Sequence, residues 1–454
     1  MNVLILGAGQ VGLGVANYLR NHNAEVAIVE KSPELAFDIR NSSNINVVQG
    51  DALNAEVLKN ANAENASHLI ATMSNDEQNI VACKLAGSFF NIGIKIARTR
   101  SHSFLRNNIF ELFLKDNFGI DALIHPELEV AKYISDVALL NGAFDVIKLS
   151  QTTIVGIKCQ DNTDIINTTF KHFQGITDLN LFVLTITRAG ETFFPTGNDL
   201  LLPNDEVYVA MDSAKIPEVL AMFGHRQGKQ NFFVVGGGSV GAFTMKMISA
   251  QSPDSNITVL EKSKEKAEEI SQEYPYATTI MGDALNYDLL REISSGIDTA
   301  IVSTDHDAVN VLSSLLMKQF QVKRILTLAK SKSYDSLLPI SSGCSVINPS
   351  AITIETIIQK SRNGKIISAI PLKNQTARVM EVEVTESFTG LEESLESLWE
   401  KDRVIPVFVI RNGGIIPARK DTILQLDDRL IILAAKDCVN SVEKSFSNYL
   451  FSKN

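Results

Sequence analysis

The sequence predicts an α/β protein of two doubly wound parallel-sheet domains in tandem, each followed by a smaller α+β module. Three observations lead there. A glycine-rich turn occurs twice, short apolar strands alternate with helical stretches around each copy, and the register between the two halves barely drifts.

The turns are "VLILGAGQVG" at 3–12 and "FFVVGGGSVG" at 232–241, with Gly7, Gly9 and Gly12 answered by Gly236, Gly238 and Gly241. Gly7 to Gly236 is an offset of 229, Glu30 to Glu261 of 231, Asp51 to Asp283 of 232 and Asn79 to Asn310 of 231. Farther on, Arg188 to Arg411 and Asp205 to Asp428 are both offsets of 223. The chain is therefore a duplication, each half carrying a larger and a smaller domain.

In the first copy the pattern predicts strands near 2–6, 25–29, 46–48, 68–71, 94–97 and 121–124, with helices near 11–21, 33–40, 54–59, 76–90 and 103–115. The glycine turn joins the first strand to the first helix, as in Rossmann-like domains. After Pro126 a helix leads out of the sheet and ends at Gly142, and from about 144 to 222 strands and turn signals predict a small α+β module. Residues 223–231, "FGHRQGKQN", read as a polar linker. The expected plan is 1–125 and 230–348 for the sheet domains, 126–142 and 349–364 for crossover helices, and 143–226 and 365–454 for the small modules.

At 454 residues the chain exceeds one hydrophobic core, so several domains are expected. A charged fraction of 21% against 45% hydrophobic leaves no room for extensive disorder, and no apolar run approaches the roughly 20 residues of a membrane span. The amino terminus enters a strand directly, so a cytoplasmic location is expected rather than secretion. Cys83, Cys159, Cys344 and Cys438 stand far apart, so buried free thiols are expected and neither a disulfide framework nor a metal site is. Net charge of −10 without a basic block disfavours nucleic acid as a partner.

Each turn follows an apolar strand, precedes a helix and is answered about 20 residues on by an acid, Glu30 in "VAIVEKS" and Glu261 in "ITVLEKS". The amides of Gly7, Ala8, Gly9, Gln10 and Val11 can donate to phosphate oxygens at the positive helix end while Gly12 lets the helix pack on the strand, and Gly236, Gly237, Gly238, Ser239, Val240 and Gly241 are the matching cofactor-binding turn. A carboxylate at Glu30 accepts from ribose hydroxyls and repels a 2′-phosphate, so NAD(H) or an adenine nucleotide fits better than NADP. Asp51 and Asp283 end the third strands, on the adenine side of such crevices. Thr72, Met73 and Ser74, with Thr304 in the second half, end the fourth strands above the turns; Ser74 or Asn75 also suits the N-cap of the next helix. Arg98 and Arg100 end the fifth strand and can meet phosphates, whereas the second half has Leu328 and Lys330 there.

A dehydrogenase needs an acid or base beside the nicotinamide, and the seven histidines do not recur at paired positions; His125 is answered by Asn348. No catalytic residue is assigned, and a soluble NAD-dependent oxidoreductase with a duplicated fold stands as the alternative.

Tandem halves with GxGxxG, a strand-end acid, "GDA", a Thr-to-Asn segment and a following module carrying Arg, Gly, Pro and Asp resemble the TrkA family over essentially the entire chain. These are regulatory subunits of Trk-type bacterial potassium uptake systems, built from two regulator-of-potassium-conductance (RCK/KTN) units. The resemblance implies a non-enzymatic subunit that binds NAD(H), with ATP or ADP as further ligands. It places nucleotide contacts on Gly7 to Val11, Glu30, Asp51, Met73, Ser74 and Arg98, and on Gly236 to Val240 and Glu261. It further implies a peripheral, cytoplasmic homo-oligomer, dimer or tetramer, forming a ring on the inner face of the membrane against a TrkH or TrkG type subunit. The small modules look like the family's RCK C-terminal domains.

Overall fold

In the computed structural model the described residues are 1–101, 114–161, 163, 165–170, 179–334, 337–338, 343–362, 366–373, 375–386, 388, 391, 394–395 and 403–446. The helix expected over 103–115 falls almost wholly outside them.

The first sheet domain runs β1 (Asn2–Leu6), α1 (Gln10–Asn21), β2 (Glu25–Glu30), α2 (Pro33–Ser42), β3 (Asn46–Gln49), α3 (Ala55–Asn60), β4 (His68–Ala71), α4 (Asp76–Phe90), β5 (Ile94–Arg98) and β6 (Ala122–Ile124). The strands pair in parallel in the order β3-β2-β1-β4-β5-β6. Val3, Leu4, Ile5 and Leu6 are all buried, the continuous apolar run of a strand covered on both faces. Helix starts are fixed locally: Ser32, Asn54 and Asn75 cap α2, α3 and α4 through their side-chain oxygens, so Asn75 rather than Ser74 takes the capping role at 74–76. The strand order reverses between β1 and β4, which opens a crevice above the carboxyl ends of those strands.

There follow α5 (Pro126–Leu139), β7 (Ala143–Lys148), β8 (Thr152–Lys158), β9 (Phe182–Arg188), β10 (Glu191–Phe193), β11 (Glu206–Asp212) and α6 (Ile216–Met222). The second half repeats the scheme with β12 (Asn231–Val235), α7 (Ser239–Gln251), β13 (Asn256–Glu261), α8 (Lys264–Glu273), β14 (Ala277–Met281), α9 (Tyr287–Ile293), β15 (Thr299–Val302), α10 (Asp307–Gln319), β16 (Arg324–Leu328) and β17 (Cys344–Ile347). It ends with α11 (Pro349–Ser361), β18 (Ile366–Pro371), β19 (Ala377–Glu383), β20 (Val404–Arg411), β21 (Gly414–Pro417), β22 (Arg429–Ala435) and α12 (Val439–Phe446). The second parallel sheet has the same order, β14-β13-β12-β15-β16-β17, and the small antiparallel sheets are β10-β9-β11-β8-β7 and β21-β20-β22-β19-β18.

Two compact units result, Met1–Val130 with Pro349–Gly364, and Ala131–Asn348 with Lys365–Asn448. Within the first, α11 of the second half lies on α1, with Ile357 in the core of the first sheet domain. A Cβ on Gly14 would stand 2.3 Å from Ile354 Cδ1, so the Ile354 side chain uses the space that this glycine leaves open. Within the second unit, the carboxyl end of α5 is held by the second sheet domain: the half-buried Arg324 donates through its guanidinium to the carbonyls of Val137, Ala138 and Leu140. The two small modules share one core, with Phe144, Ile147, Leu184 and Tyr208 packed among Val379, Val407, Phe408 and Ile431. Asp145 of β7 accepts from the hydroxyls of Tyr133 on α5 (2.8 Å) and Tyr208 (2.6 Å), and the Tyr208 hydroxyl accepts from the Lys373 amide at 2.9 Å.

The paired Arg and Asp of the small modules form a staple. Arg188 donates twice to Asp205 at 2.9 and 2.7 Å, and Arg411 twice to Asp428 at 2.8 and 2.7 Å, both aspartates being almost fully buried. The segment read as a polar linker is pinned at its start. Phe223 and His225 are buried, and His225 bonds Gln160 at 3.1 Å and the Lys158 carbonyl at 2.8 Å. A Cβ on Gly142, at φ +86, would strike the His225 ring, so that glycine serves both the turn and the close approach. Cys83, Cys159 and Cys344 are buried as expected, while Cys438 is half-buried. Among the described residues no helix is long and apolar enough to cross a membrane.

Candidate nucleotide crevices

In the first crevice β1 runs into Gly7, whose φ of +93 lies in the left-handed region that favours glycine. Its amide donates to the Val29 carbonyl at 2.9 Å, turning the chain up and over the sheet. Gly12 faces back onto this turn: a Cβ there would lie 2.1 Å from the Gly7 carbonyl oxygen and 2.7 Å from Thr72 Oγ1. Around Gly9 nothing lies within 4 Å of a would-be Cβ, and it caps α1 with no side chain to offer. The first-turn amides of Gln10, Val11 and Gly12 have no intrahelical acceptor, and Gly9 and Gln10 are exposed. Open backbone, free donors and a helix dipole make an anion site.

Glu30, at the end of β2, accepts from the Ala8 amide through Oε2 at 2.7 Å and from the Ser32 amide through Oε1 at 2.8 Å. It thus clamps the glycine turn rather than standing in solvent. Asp51 accepts from the Leu53 amide at 3.0 Å and from Lys31 Nζ at 3.2 Å, and those two donors hold its carboxyl below the usual range. Thr72 is buried and donates to the carbonyls of Leu6 and Gly7, both at 3.2 Å, and Ser74 is exposed at the rim. The backbone of Met73 lies 3.1 Å from a would-be Cβ on Gly7.

Two residues fix this wall. Asn79, fully buried on α4, accepts from the Met73 amide at 2.8 Å and donates to the carbonyls of Met73 (3.0 Å) and Arg98 (2.8 Å). Asp76 gathers the end of β5 through one oxygen, accepting from Thr99 Oγ1 at 2.9 Å and from the amides of Arg100 and Ser101 at 2.8 Å. Arg98 is 8% exposed and donates from Nη2 to the Met73 carbonyl at 2.8 Å, while its buried Nε meets no acceptor among the described residues. Burial first, and Arg100 second, lower its pKa. Arg100 itself is exposed and pairs with Glu127 at 3.6 Å.

The second crevice has the same frame. Gly236, at φ +97, donates to the Leu260 carbonyl, and a Cβ on Gly241 would lie 2.1 Å from the Gly236 carbonyl oxygen. Glu261 accepts from the amides of Gly237 and Ser263 at 2.9 and 2.8 Å, and Asp283 pairs with Lys262 at 2.8 Å. Asn310 accepts from the Thr304 amide at 3.0 Å and donates to the carbonyls of Thr304 and Leu328. Asp307 accepts from the amides of Lys330 and Ser331. Gly238 again faces open space. Ser239 and Val240, in the first turn of α7, are half-buried. The differences are local: Leu328 replaces Arg98, Thr304 replaces Met73, and a Cβ on Gly237 would meet Ile270 Cδ1 at 2.0 Å where the first half accommodates Ala8. Asp76 and Asp307 carry no role in the reading of the sequence, although their offset of 231 was the available signal.

Comparison with known proteins agrees with this architecture. The model of the TrkA-N domain matches residues 3–126 and again 232–349, more than half of the chain. The Trk system potassium uptake protein TrkA of Azorhizobium caulinodans is 29% identical over 451 residues, covering 98% of each chain. The protein of the same name from Vibrio alginolyticus is 26% identical over 457 residues, again covering 98% of each. Among solved structures, the GsuK channel bound to NAD superimposes with a TM-score of 0.61 at 15% identity, over 98% of this chain and 78% of that one, a likeness of fold.

Proposed function

Because the chain belongs to the TrkA-N domain family, in two copies, we propose that it is the nucleotide-sensing regulatory subunit of a Trk-type potassium uptake system. It binds NAD(H), and ATP or ADP, in the two crevices and gates a separate potassium-translocating subunit of TrkH or TrkG type from the cytoplasmic face of the inner membrane. As a homo-oligomer, dimer or tetramer, it forms a ring there. The contacts are the turns 7–12 and 236–241, through amides other than those of Gly7, Ala8, Gly236 and Gly237, which bond within the protein, with Glu30 and Glu261 on ribose, Asp51 and Asp283 on the adenine side, and Thr72, Met73, Ser74 and Thr304 on the upper wall.

The observation that carries this reading is the pair of open glycine turns, each clamped by a strand-end glutamate, with no histidine at the carboxyl ends of the strands in matching places. That equipment binds a nucleotide and leaves it intact. A ligand then acts only through a difference in affinity between two arrangements of the protein. Arg98, buried with an unused donor in the first crevice alone, supplies a cation for the added charge of a triphosphate.

The test is calorimetric titration of the purified chain with NADH, NAD, ATP and ADP, repeated on Gly9→Asp and Gly238→Asp. Saturable binding lost crevice by crevice, with the ligand recovered unchanged, is expected. Turnover of any of the four returns the oxidoreductase alternative, and absence of binding refutes the sensory role.

A further inference from the structure

We propose that a lysine–aspartate latch beside each ribose-binding acid makes both crevices select against nucleotides that carry a 2′-phosphate. The proposal rests on the nucleotide-binding reading above and assigns Lys31–Asp51 and Lys262–Asp283 as its specificity elements. In dinucleotide folds the end of the second strand decides this choice: a carboxylate accepts from a free 2′-hydroxyl, while a nearby base accommodates a 2′-phosphate. Here both chemistries stand side by side, as Glu30 is followed by Lys31 and Glu261 by Lys262. The sequence "EKS" therefore points both ways.

Geometry separates them. Each glutamate is held as an acceptor by two backbone amides, Ala8 and Ser32 in one half and Gly237 and Ser263 in the other. Each lysine is turned away to an aspartate, Lys31 to Asp51 at 3.2 Å and Lys262 to Asp283 at 2.8 Å. The aspartates are themselves fixed, Asp51 by the Leu53 amide at 3.0 Å and Asp283 by the Leu285 amide at 2.9 Å. Both carboxyls lie below the usual range and so stay ionised at neutral pH. An incoming 2′-phosphate meets two carboxylates while the adjacent ammonium is already paired.

The recurrence carries weight because these pairs add little to folding. Their side chains are 77% and 47% exposed in one half and 78% and 44% in the other, and exposed ion pairs contribute little to stability. Neighbouring positions have diverged between the halves, from Arg98 to Leu328 and from Met73 to Thr304, yet the latch has the same partners and direction in both.

The experiment uses the full chain carrying Gly238→Asp, which leaves the first crevice to be read. NADH is titrated against NADPH, and 5′-AMP against 2′,5′-ADP, by calorimetry. The unlatched comparison adds Asp51→Asn, and a third protein adds Lys31→Ala to that. The latched protein is expected to favour the unphosphorylated member of each pair by about tenfold or more, because like-charge juxtaposition at a binding site is strongly unfavourable. Asp51→Asn should narrow that ratio by about three- to fivefold, the ceiling for an exposed pair. Adding Lys31→Ala should recover part of it, since the freed ammonium is what would capture the phosphate while the repulsion from Asp51 stays lost. Because a ratio is read, any weakening of adenine binding caused by removing the Asp51 carboxylate affects both members alike. An unchanged ratio in Asp51→Asn, or a latched protein indifferent to the 2′-phosphate, overturns the proposal. Binding of neither pair refutes the nucleotide reading itself and this assignment with it.

Discussion

Replacing Gly12 by alanine separates what the glycine turn needs for folding from what it offers a ligand. The added methyl would sit 2.1 Å from the Gly7 carbonyl oxygen and 2.7 Å from Thr72 Oγ1, and the first obstacle is backbone that cannot rotate away. Overpacking of this kind costs about 1–3 kcal/mol, and separating the Gly7 carbonyl from Thr72 loses about 1 kcal/mol more. Against this, alanine inside α1 regains about 1 kcal/mol of helix propensity. A net local loss of about 2 kcal/mol corresponds to roughly thirtyfold faster opening. A chain of several domains does not unfold in one step, so the readout is amide hydrogen exchange resolved on β1 and α1 rather than a single melting curve. Gly9→Ala is the control, because its methyl meets nothing within 4 Å and only the weaker N-cap propensity of alanine is left, so exchange should rise far less than in Gly12→Ala. Equal exchange in Gly12→Ala and Gly9→Ala would refute the close-approach argument.

Two further outcomes follow from buried bases. Burial pushes the His68 imidazole down to about 4, against about 6.5 when unfolded, so the unfolded chain binds the extra proton between those values. Stability from this residue is whole above about pH 6.5 and falls as pH drops toward 4, by up to roughly 3 kcal/mol. Exchange at β4 measured at pH 7 and pH 4.5 should show that slope and His68→Gln should flatten it; an identical slope in the variant sinks the assignment. Arg324 is half-buried, and desolvation of its guanidinium lowers its pKa to about 9, so it still caps α5 as a cation at neutral pH. Arg324→Met strands the carbonyls of Val137, Ala138 and Leu140 and should cost about 2–4 kcal/mol, seen as faster exchange at the carboxyl end of α5 while α11 is unaffected. Unchanged protection of α5 would show that the cap is dispensable.

Much of the fold could be read because its causes are local. Apolar runs of four residues, VLIL and VAIV, fix β1 and β2, and Ser32, Asn54 and Asn75 announce the helices they cap. The site was legible as far as it is a motif: Gly7, Gly9, Gly12 and Glu30 lie where turn chemistry requires them. The residues that position it were less so. Asn79 and Asp76 act through backbone groups 19 to 25 residues away, and only the pairing of β4 with β5 brings those within reach.

By itself, then, the sequence determined the duplication, the two doubly wound sheets and the strand-end acids, because periodicity and turn chemistry act over a few residues and were written twice. Tertiary structure decided which partner each amphipathic or charged surface takes. Helix α11 is apolar on one face whatever it packs against, and the small side of Gly14 in α1 receives it some 340 residues away. Lys31 is equally cationic toward a phosphate or toward Asp51, and the parallel pairing of β2 with β3 sets the aspartate beside it. Long-range choices of this kind depend on packing and distance, which no single stretch of chain contains.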